Sequence, residues 1–534
     1  MISRIEIPPH PFLAALYPAL ALAAENVEGS VHATDVFQLL GLSLALAGIV
    51  WILGRFFTRV PARRGILALL GVLFLLWYGG FAEILGRILG LVQTDRVYLL
   101  LPVWSALLLA AGFWALRTQR SLTVLSRYLN RFMAVLLLFP LSILALHAAR
   151  PDEWTTGLPV EAEAARPTHT RPDIYVLVLD EYTSARSLKD NYGLEIGDFV
   201  DSLESRGFFV PSDSRANYVH THLSMASMLN WTHLHEVARE IGLDSRNRSR
   251  TYGMIENNRA WRFLNARGYE FVFFPSAYTA TPSNRYADRQ LPEPFRASTN
   301  LHLGWLLQTP FPAIIVWTCK MLPCDLHENR EFPYAPEPTE MIEWKFRRLE
   351  TLAAEPGPKF VLAHLLIPHE PFVFNADCSH REPVWPASGL ERSRKIIEEG
   401  YTAQIACLNR MLLRLVDGLI ENSSIPPAIL LQSDHGHGQM ILDTATNRTL
   451  QLDQLSPSQL DDRTSVFAAY YLPGGSNAFY DTVTPVNVLP IVFNRIFDTE
   501  ISLEEDAVYW SDSQRPFRFQ RINPRASGPE PHPR

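Results

Sequence analysis

Three short apolar runs in this chain of 534 residues end in side chains that can hold a cation. The run Ile174 to Leu179 stops at Asp180-Glu181, and AILLQS at 428–433 stops at Asp434-His435 within QSDHGHG. A third, KFVLAHLLIP at 359–368, passes through His364 and leads to His369 within HLLIPHEPF. Carboxylate and imidazole together suit zinc or manganese, with magnesium or calcium, which prefer oxygen shells, also compatible. A single Asp at a strand end is commonly a turn or cap residue. Three such ends in one chain point instead to a shared site, because ligands of open α/β sheets bind at the carboxyl ends of the strands.

Metal chemistry on an ester also wants a nucleophile. The segment SRANYVHTHLSMASMLN at 214–230 places Thr221 at the start of a predicted helix over 222–231. A hydroxyl there feels the positive helix terminus and can reach a cation, and both effects favour an alkoxide-like oxygen. The competing reading is that Thr221 is only a helix cap.

The elements that position these residues follow from pattern. Buried β-branched runs predict strands at 174–179, 207–210, 268–275, 359–368, 428–434 and 466–474. Amphipathic stretches predict helices at 196–206 and 391–421. Helix and strand alternate, so the expectation over 172–515 is an α/β domain with a mainly parallel central sheet. Residues 151–171 read as a linker and 516–534 as a flexible, Pro- and Arg-rich tail.

The first 150 residues differ in kind. Apolar stretches at about 11–25, 36–54, 65–82, 97–116 and 132–149 predict a membrane anchor of about five transmembrane helices. The first is shorter and also fits a cleaved signal peptide. Arg55, Arg59, Arg63 and Arg64 follow the second stretch, and Arg117, Arg120, Arg127 and Arg131 follow the fourth. The positive-inside rule puts those loops in the cytoplasm and everything after residue 150 outside, so the expected location is the plasma (inner) membrane, multi-pass, with an extracytoplasmic catalytic domain. A net charge of -7 gives no reason to expect nucleic acid as a partner. Four cysteines suggest two disulfides, with Cys319–Cys324 and Cys378–Cys407 as one pairing, against four buried thiols as the alternative.

Taken in order, VLVLDEY, NYVHTHLSMAS, HLLIPHEPF, QSDHG, YYLPGG and TPVNVLPIVFNRIF resemble the sulfatase/alkaline-phosphatase superfamily over roughly 172–510. The likeness is to its membrane-anchored branch, which includes lipoteichoic acid synthases and phosphoethanolamine transferases. That resemblance implies a sulfatase-like fold with Asp180, Glu181, Asp434 and His435 as metal ligands, and Thr221 as both ligand and nucleophile. It implies that His364 and His369 contact substrate or a second metal. The formylglycine signature Cys/Ser-x-Pro-x-Arg is absent, since the chain reads Thr-His-Leu-Ser-Met from Thr221. The Arg usual after the first ligand in the transferases is displaced to Arg186. The expected activity is transfer of a phospho head group from a membrane lipid to an envelope glycan or lipid through a phosphothreonine. A sulfate- or phosphate-ester hydrolase on the same site is the alternative, and a non-catalytic membrane scaffold a third reading.

Overall fold

The computed structural model describes residues 7–26, 33–89, 93–149, 171–291, 300–312, 314, 339–384, 394–438, 442–443, 448–449 and 451–522. The chain divides into two compact units, Met1–Pro151 with Arg296–Ala335, and Asp152–Phe295 with Pro336–Arg534.

The first unit is helical: α1 (His10–Glu25), α2 (Ala33–Leu53), α3 (Pro61–Leu76), α4 (Tyr78–Ile88), α5 (Gln93–Arg117) and α6 (Thr123–Ala149). Among the described residues, three helices are long and apolar enough to cross a membrane, at Ala33–Phe56, Leu99–Arg117 and Thr123–Leu146. A fourth is counted if α3 and α4, bent by 63° around Trp77, are one broken span. Large apolar side chains such as Ile52, Leu109, Phe113, Val135 and Phe139 face outward from these helices. An outward apolar surface suits lipid and not water, which marks the chain as a membrane protein.

The expected first span is instead α1, whose 16 residues reach only about 24 Å. It packs against α2, α3 and α6. Its Ala14, Ala15, Ala19 and Ala23 are buried, and such small side chains let helices approach closely. Pro18 lacks an N–H, so the Ala14 carbonyl four residues earlier loses its helical donor. The Trp77 indole N–H, at the α3–α4 bend, donates to that oxygen at 2.9 Å. Residues 296–335, inside the span expected for the catalytic domain, cluster with this helical unit because the apolar helix Asn300–Leu307 packs on α1 and α2.

The second unit is built on a six-stranded sheet in the order β10-β7-β1-β4-β2-β3. Its strands are β1 (Ile174–Leu179), β2 (Glu270–Phe274), β3 (Arg289–Gln290), β4 (Lys359–Leu365), β7 (Ala428–Ser433) and β10 (Ala468–Tyr471). All pairings are parallel except that of β10 with β7. Short antiparallel hairpins join β5 (Phe372–Phe374) to β6 (His380–Val384), β8 (Leu442–Asp443) to β9 (Arg448–Thr449), and β11 (Val508–Trp510) to β12 (Gln520–Ile522).

The pleat sends alternate β1 side chains to opposite faces. Ile174, Val176 and Val178 join a core with the helices Thr221–Asn230 and Pro485–Phe497. Tyr175, Leu177 and Leu179 join another with Thr339–Leu352 and Arg394–Asn422. Burial on both faces is why β1 and β7 read as unbroken apolar runs. A Cys378–Cys407 disulfide ties the β5–β6 hairpin to the helix Arg394–Asn422; Cys319 and Cys324 lie outside the described residues.

Two further expectations change. The GFFV strand at 207–210 reduces to a single antiparallel bridge, Phe209 to Tyr470. Residues 516–522 are not frayed, because Phe517 is fully buried and β12 pairs with β11.

Candidate functional site

Register decides where the ligands land. Leu179 of β1 sits beside Leu365 of β4 and Ser433 of β7, so Asp180 and Asp434 are the first residues past the ladder on neighbouring parallel strands. Both are buried, as are Glu181 and His435. Asp180, Asp434 and His435 bring one potential ligand atom each within 4.8 Å of one another. Glu181, His369 and Glu370 form a second such group.

Asp434 Oδ1 accepts from the backbone N–H of Glu181 (3.2 Å) and of His435 (2.9 Å), which aims the carboxylate. Its other oxygen, Oδ2, stands 3.2 Å from His435 Nε2. His435 Nδ1 donates to the Gly436 carbonyl at 3.0 Å, so Nε2 carries the lone pair. Two electron-rich atoms this close need a positive centre, either a proton or a cation. Burial and the neighbouring charge of Asp180 push the Asp434 carboxyl well above its ordinary range. Burial, with Arg463 adding to it, holds His435 well below the usual imidazole value, and hence neutral. Asp180 Oδ1, Glu181 Oε2 and Asp434 Oδ2 have no hydrogen-bond partner among the described residues. An orphaned Asp434 oxygen against a neutral imidazole lone pair, with the buried Asp180 in the same group, forms a donor set that fits a divalent cation.

Thr221 opens helix α9 (Thr221–Asn230), reached after α7 (Ala185–Tyr192) and α8 (Gly197–Ser205). The helix cap is His220, not Thr221, and His220 makes no side-chain capping bond. The Thr221 hydroxyl instead donates to His435 Nε2 at 3.0 Å. The reading of Thr221 as a plain cap therefore gives way to a hydroxyl held at the ligand cluster.

Glu181 is strained. Its φ of 64° lies in the left-handed region, which costs a non-glycine residue about 1–2 kcal/mol. The Tyr401 hydroxyl donates to its carbonyl at 2.6 Å and helps to hold that conformation. Burial opposes ionisation of Glu181, but His369, Arg463 and His437 together hold the carboxyl below its ordinary value.

His364 Nε2 lies 3.5 Å from Asp180 Oδ2, and its Nδ1 faces the Thr281 hydroxyl at 3.3 Å. The His369 backbone N–H donates to the Asp180 carbonyl at 3.1 Å. Burial works against charge on His369, yet Glu181, Glu370 and Asp180 raise it to about 10. Those carboxylates favour its protonated form, which is suited to contact an anion. All seven residues picked out by sequence thus gather at the ends of β1, β4 and β7 and the start of α9.

Other participants carry no sequence signature. Arg463, nearly buried, donates to Glu181 Oε1 at 2.9 Å, to the Gly436 carbonyl at 2.9 Å and to the Val219 carbonyl at 2.6 Å and 3.1 Å. One guanidinium thereby binds the three segments that carry Glu181, Thr221 and His435. Gly436 is required by close approach: a Cβ there would stand 1.8 Å from the Asp462 carbonyl oxygen. His437 is buried and stacked on Tyr401, 3.9 Å between centroids. Its Nδ1 bonds the Tyr192 hydroxyl, which donates to Asp462. The second His of QSDHGHG was its only trace in the sequence. Arg186 is half-exposed and pairs with Asp461 at 2.9 Å.

No family model matches the chain, and no curated protein matches it. Among solved structures it is similar to the C-terminal periplasmic domain of EcEptC from Escherichia coli in complex with Zn, at 12% identity over 62% of this chain and 83% of that one, with a TM-score of 0.39. It is also similar to the integral membrane protein lipooligosaccharide phosphoethanolamine transferase A (EptA) from Neisseria meningitidis, at 12% identity over 91% and 94% of the two chains, with a TM-score of 0.39. A protein in the alkaline phosphatase superfamily from Vibrio parahaemolyticus matches at 11% identity over 67% and 79%, with a TM-score of 0.38. Likeness at these scores carries no argument about chemistry, which rests on the side chains themselves.

Proposed function

We propose that the chain is a membrane-anchored, divalent-metal-dependent enzyme of the sulfatase/alkaline-phosphatase kind that moves a phospho head group from a membrane lipid to an envelope glycan or lipid through a phosphothreonine at Thr221. The observation that carries the reading is the Thr221 hydroxyl set against His435 Nε2 inside a cluster of orphaned carboxylates. Asp180, Asp434, His435 and Thr221 would hold the cation, with Glu181 beside them. Zinc or manganese suits the donor set, with magnesium or calcium as alternatives. When bound, the cation acts as a Lewis acid and lowers the pKa of a nearby hydroxyl.

In the first step the Thr221 Oγ1–phosphorus bond forms as the phosphorus–oxygen bond to the lipid breaks, and the proton of the Thr221 hydroxyl ends on the departing oxygen to give the free lipid alcohol. The His369 imidazolium steadies the phosphoryl oxygens or the leaving oxygen, with His364 behind it against Asp180. An acceptor hydroxyl then takes the group from Thr221. The Cys378–Cys407 disulfide supports an extracytoplasmic setting, since such bonds persist in oxidising compartments.

Incubating the full-length protein with membrane lipids and weighing its peptides tests the proposal, because an adduct on Thr221 also reveals the transferred group by mass. Thr221→Ala is expected to abolish turnover with thermal unfolding nearly unchanged; full turnover by the folded variant rejects the mechanism. Release of inorganic phosphate or sulfate in place of group transfer would make the enzyme a hydrolase on the same site.

A further inference from the structure

The helix Asn300–Leu307 departs from the chain of the sheet unit between β3 and the helix Thr339–Leu352, yet it packs on α1 and α2. Leu301 and Trp305 are buried in one core with Ala15, Leu39, Ala47, Leu69 and Val72. The Trp305 indole N–H donates to Ser43 Oγ at 3.1 Å, and Ser43 is wholly buried. Ser43 lies about 15 Å along α2 from Ala33, close to the middle of a helix long enough to cross a membrane.

At its far end the segment makes a second polar contact. The Gln308 carbonyl accepts from the Gly79 backbone N–H at 2.9 Å. That amide belongs to the first turn of α4, where the bend after α3 leaves it without an intrahelical partner. A Cβ on Gly79 would stand 2.5 Å from the Leu307 carbonyl oxygen, so glycine is what allows the approach. Both bonds pair groups that water would satisfy on a soluble surface and that hydrocarbon leaves unsatisfied. Beyond the helix, Phe311 and Ile314 remain 49% and 40% exposed.

We propose that residues 300–312 and 314 belong to a re-entrant membrane element, which dips back into the bilayer beside α1 and α2 and meets lipid acyl chains on its outer side. Its seat at mid-helix depth, the two polar pairs and the uncovered Phe311 and Ile314 are what such an element requires. The sheet unit is then attached to the membrane through this loop as well as through the leading anchor.

The test uses the full chain in phosphatidylethanolamine/phosphatidylglycerol vesicles, with the photo-crosslinking residue benzoylphenylalanine replacing Phe311 or, separately, Ile314. Leu243, equally exposed in the sheet unit, serves as control. After irradiation and digestion, mass spectrometry is expected to find acyl-chain adducts at 311 and 314 and none at 243. Absence of lipid adducts at both positions, or adducts only to protein, overturns the proposal.

Discussion

Arg463→Met is the substitution whose consequences the structure specifies most fully. Methionine fills much of the space of the arginine stem but donates nothing. The Glu181 carboxylate loses its guanidinium, and Val219 and Gly436 lose donors to their carbonyls. Removing one partner of a buried ion pair costs about 3–5 kcal/mol, and each stranded buried carbonyl about 1–3 kcal/mol more. These terms overlap, because His369 and His437 still face Glu181, so we expect a net loss of about 5 kcal/mol. A domain holds only about 5–15 kcal/mol in all. The variant should therefore be marginally folded in thermal unfolding of the detergent-solubilised chain. Arg463→Lys keeps the charge but loses the fork and should fold. Its turnover should still drop, because Val219 stands two residues before Thr221 and a shift of about 1 Å there costs about a hundredfold. If Arg463→Met unfolds within about 1 kcal/mol of the parent and turns over normally, Arg463 does not position the site.

Gly436→Ala forces the new methyl group into the Asp462 carbonyl and should displace the Asp434–His435 pair, seen as lost metal binding and a lower unfolding temperature. In the chelated protein, His369 binds its proton more tightly folded, at about 10, than unfolded, at its ordinary 6.5. The stability this brings is complete below about 6.5 and is lost as pH rises through about 10; His369→Gln should flatten that slope in unfolding measured across the window. Cys378→Ser opens a loop of 29 residues and should cost about 3–4 kcal/mol by the loop-entropy relation, read as a shift in denaturant midpoint that reductant reproduces in the parent chain.

Much of the site could be seen in the sequence because strand pattern and ligand chemistry coincide. The apolar runs of β1 and β7 end at Asp180 and Asp434, that of β4 carries His364 next to its last residue and leads on to His369, and parallel pairing of such strands brings their ends to one edge. Arg463 could not be seen this way. It sits near the end of the polar helix Pro457–Thr464 and reaches Val219 and Glu181 only because β10 turns back antiparallel on β7. His437 and Glu370 lie within QSDHGHG and HLLIPHEPF, but their partners, Tyr401 and Glu181, are remote in the chain. The α3–α4 break was marked by Gly79-Gly80 inside an apolar run that otherwise reads as one span. The helix Asn300–Leu307 has the composition of a buried soluble helix, and only its packing partners set it apart.

The middle position of β1 bears on how the protein is made. Synthesis delivers it first among the six strands, while its two neighbours, β4 and β7, leave the ribosome roughly 190 and 250 residues later. During that interval a ribbon apolar on both faces waits with both hydrogen-bonding edges unsatisfied, the condition under which chains pair with the wrong partner. Maturation of this protein should accordingly depend on a holding chaperone until the last third of the chain arrives.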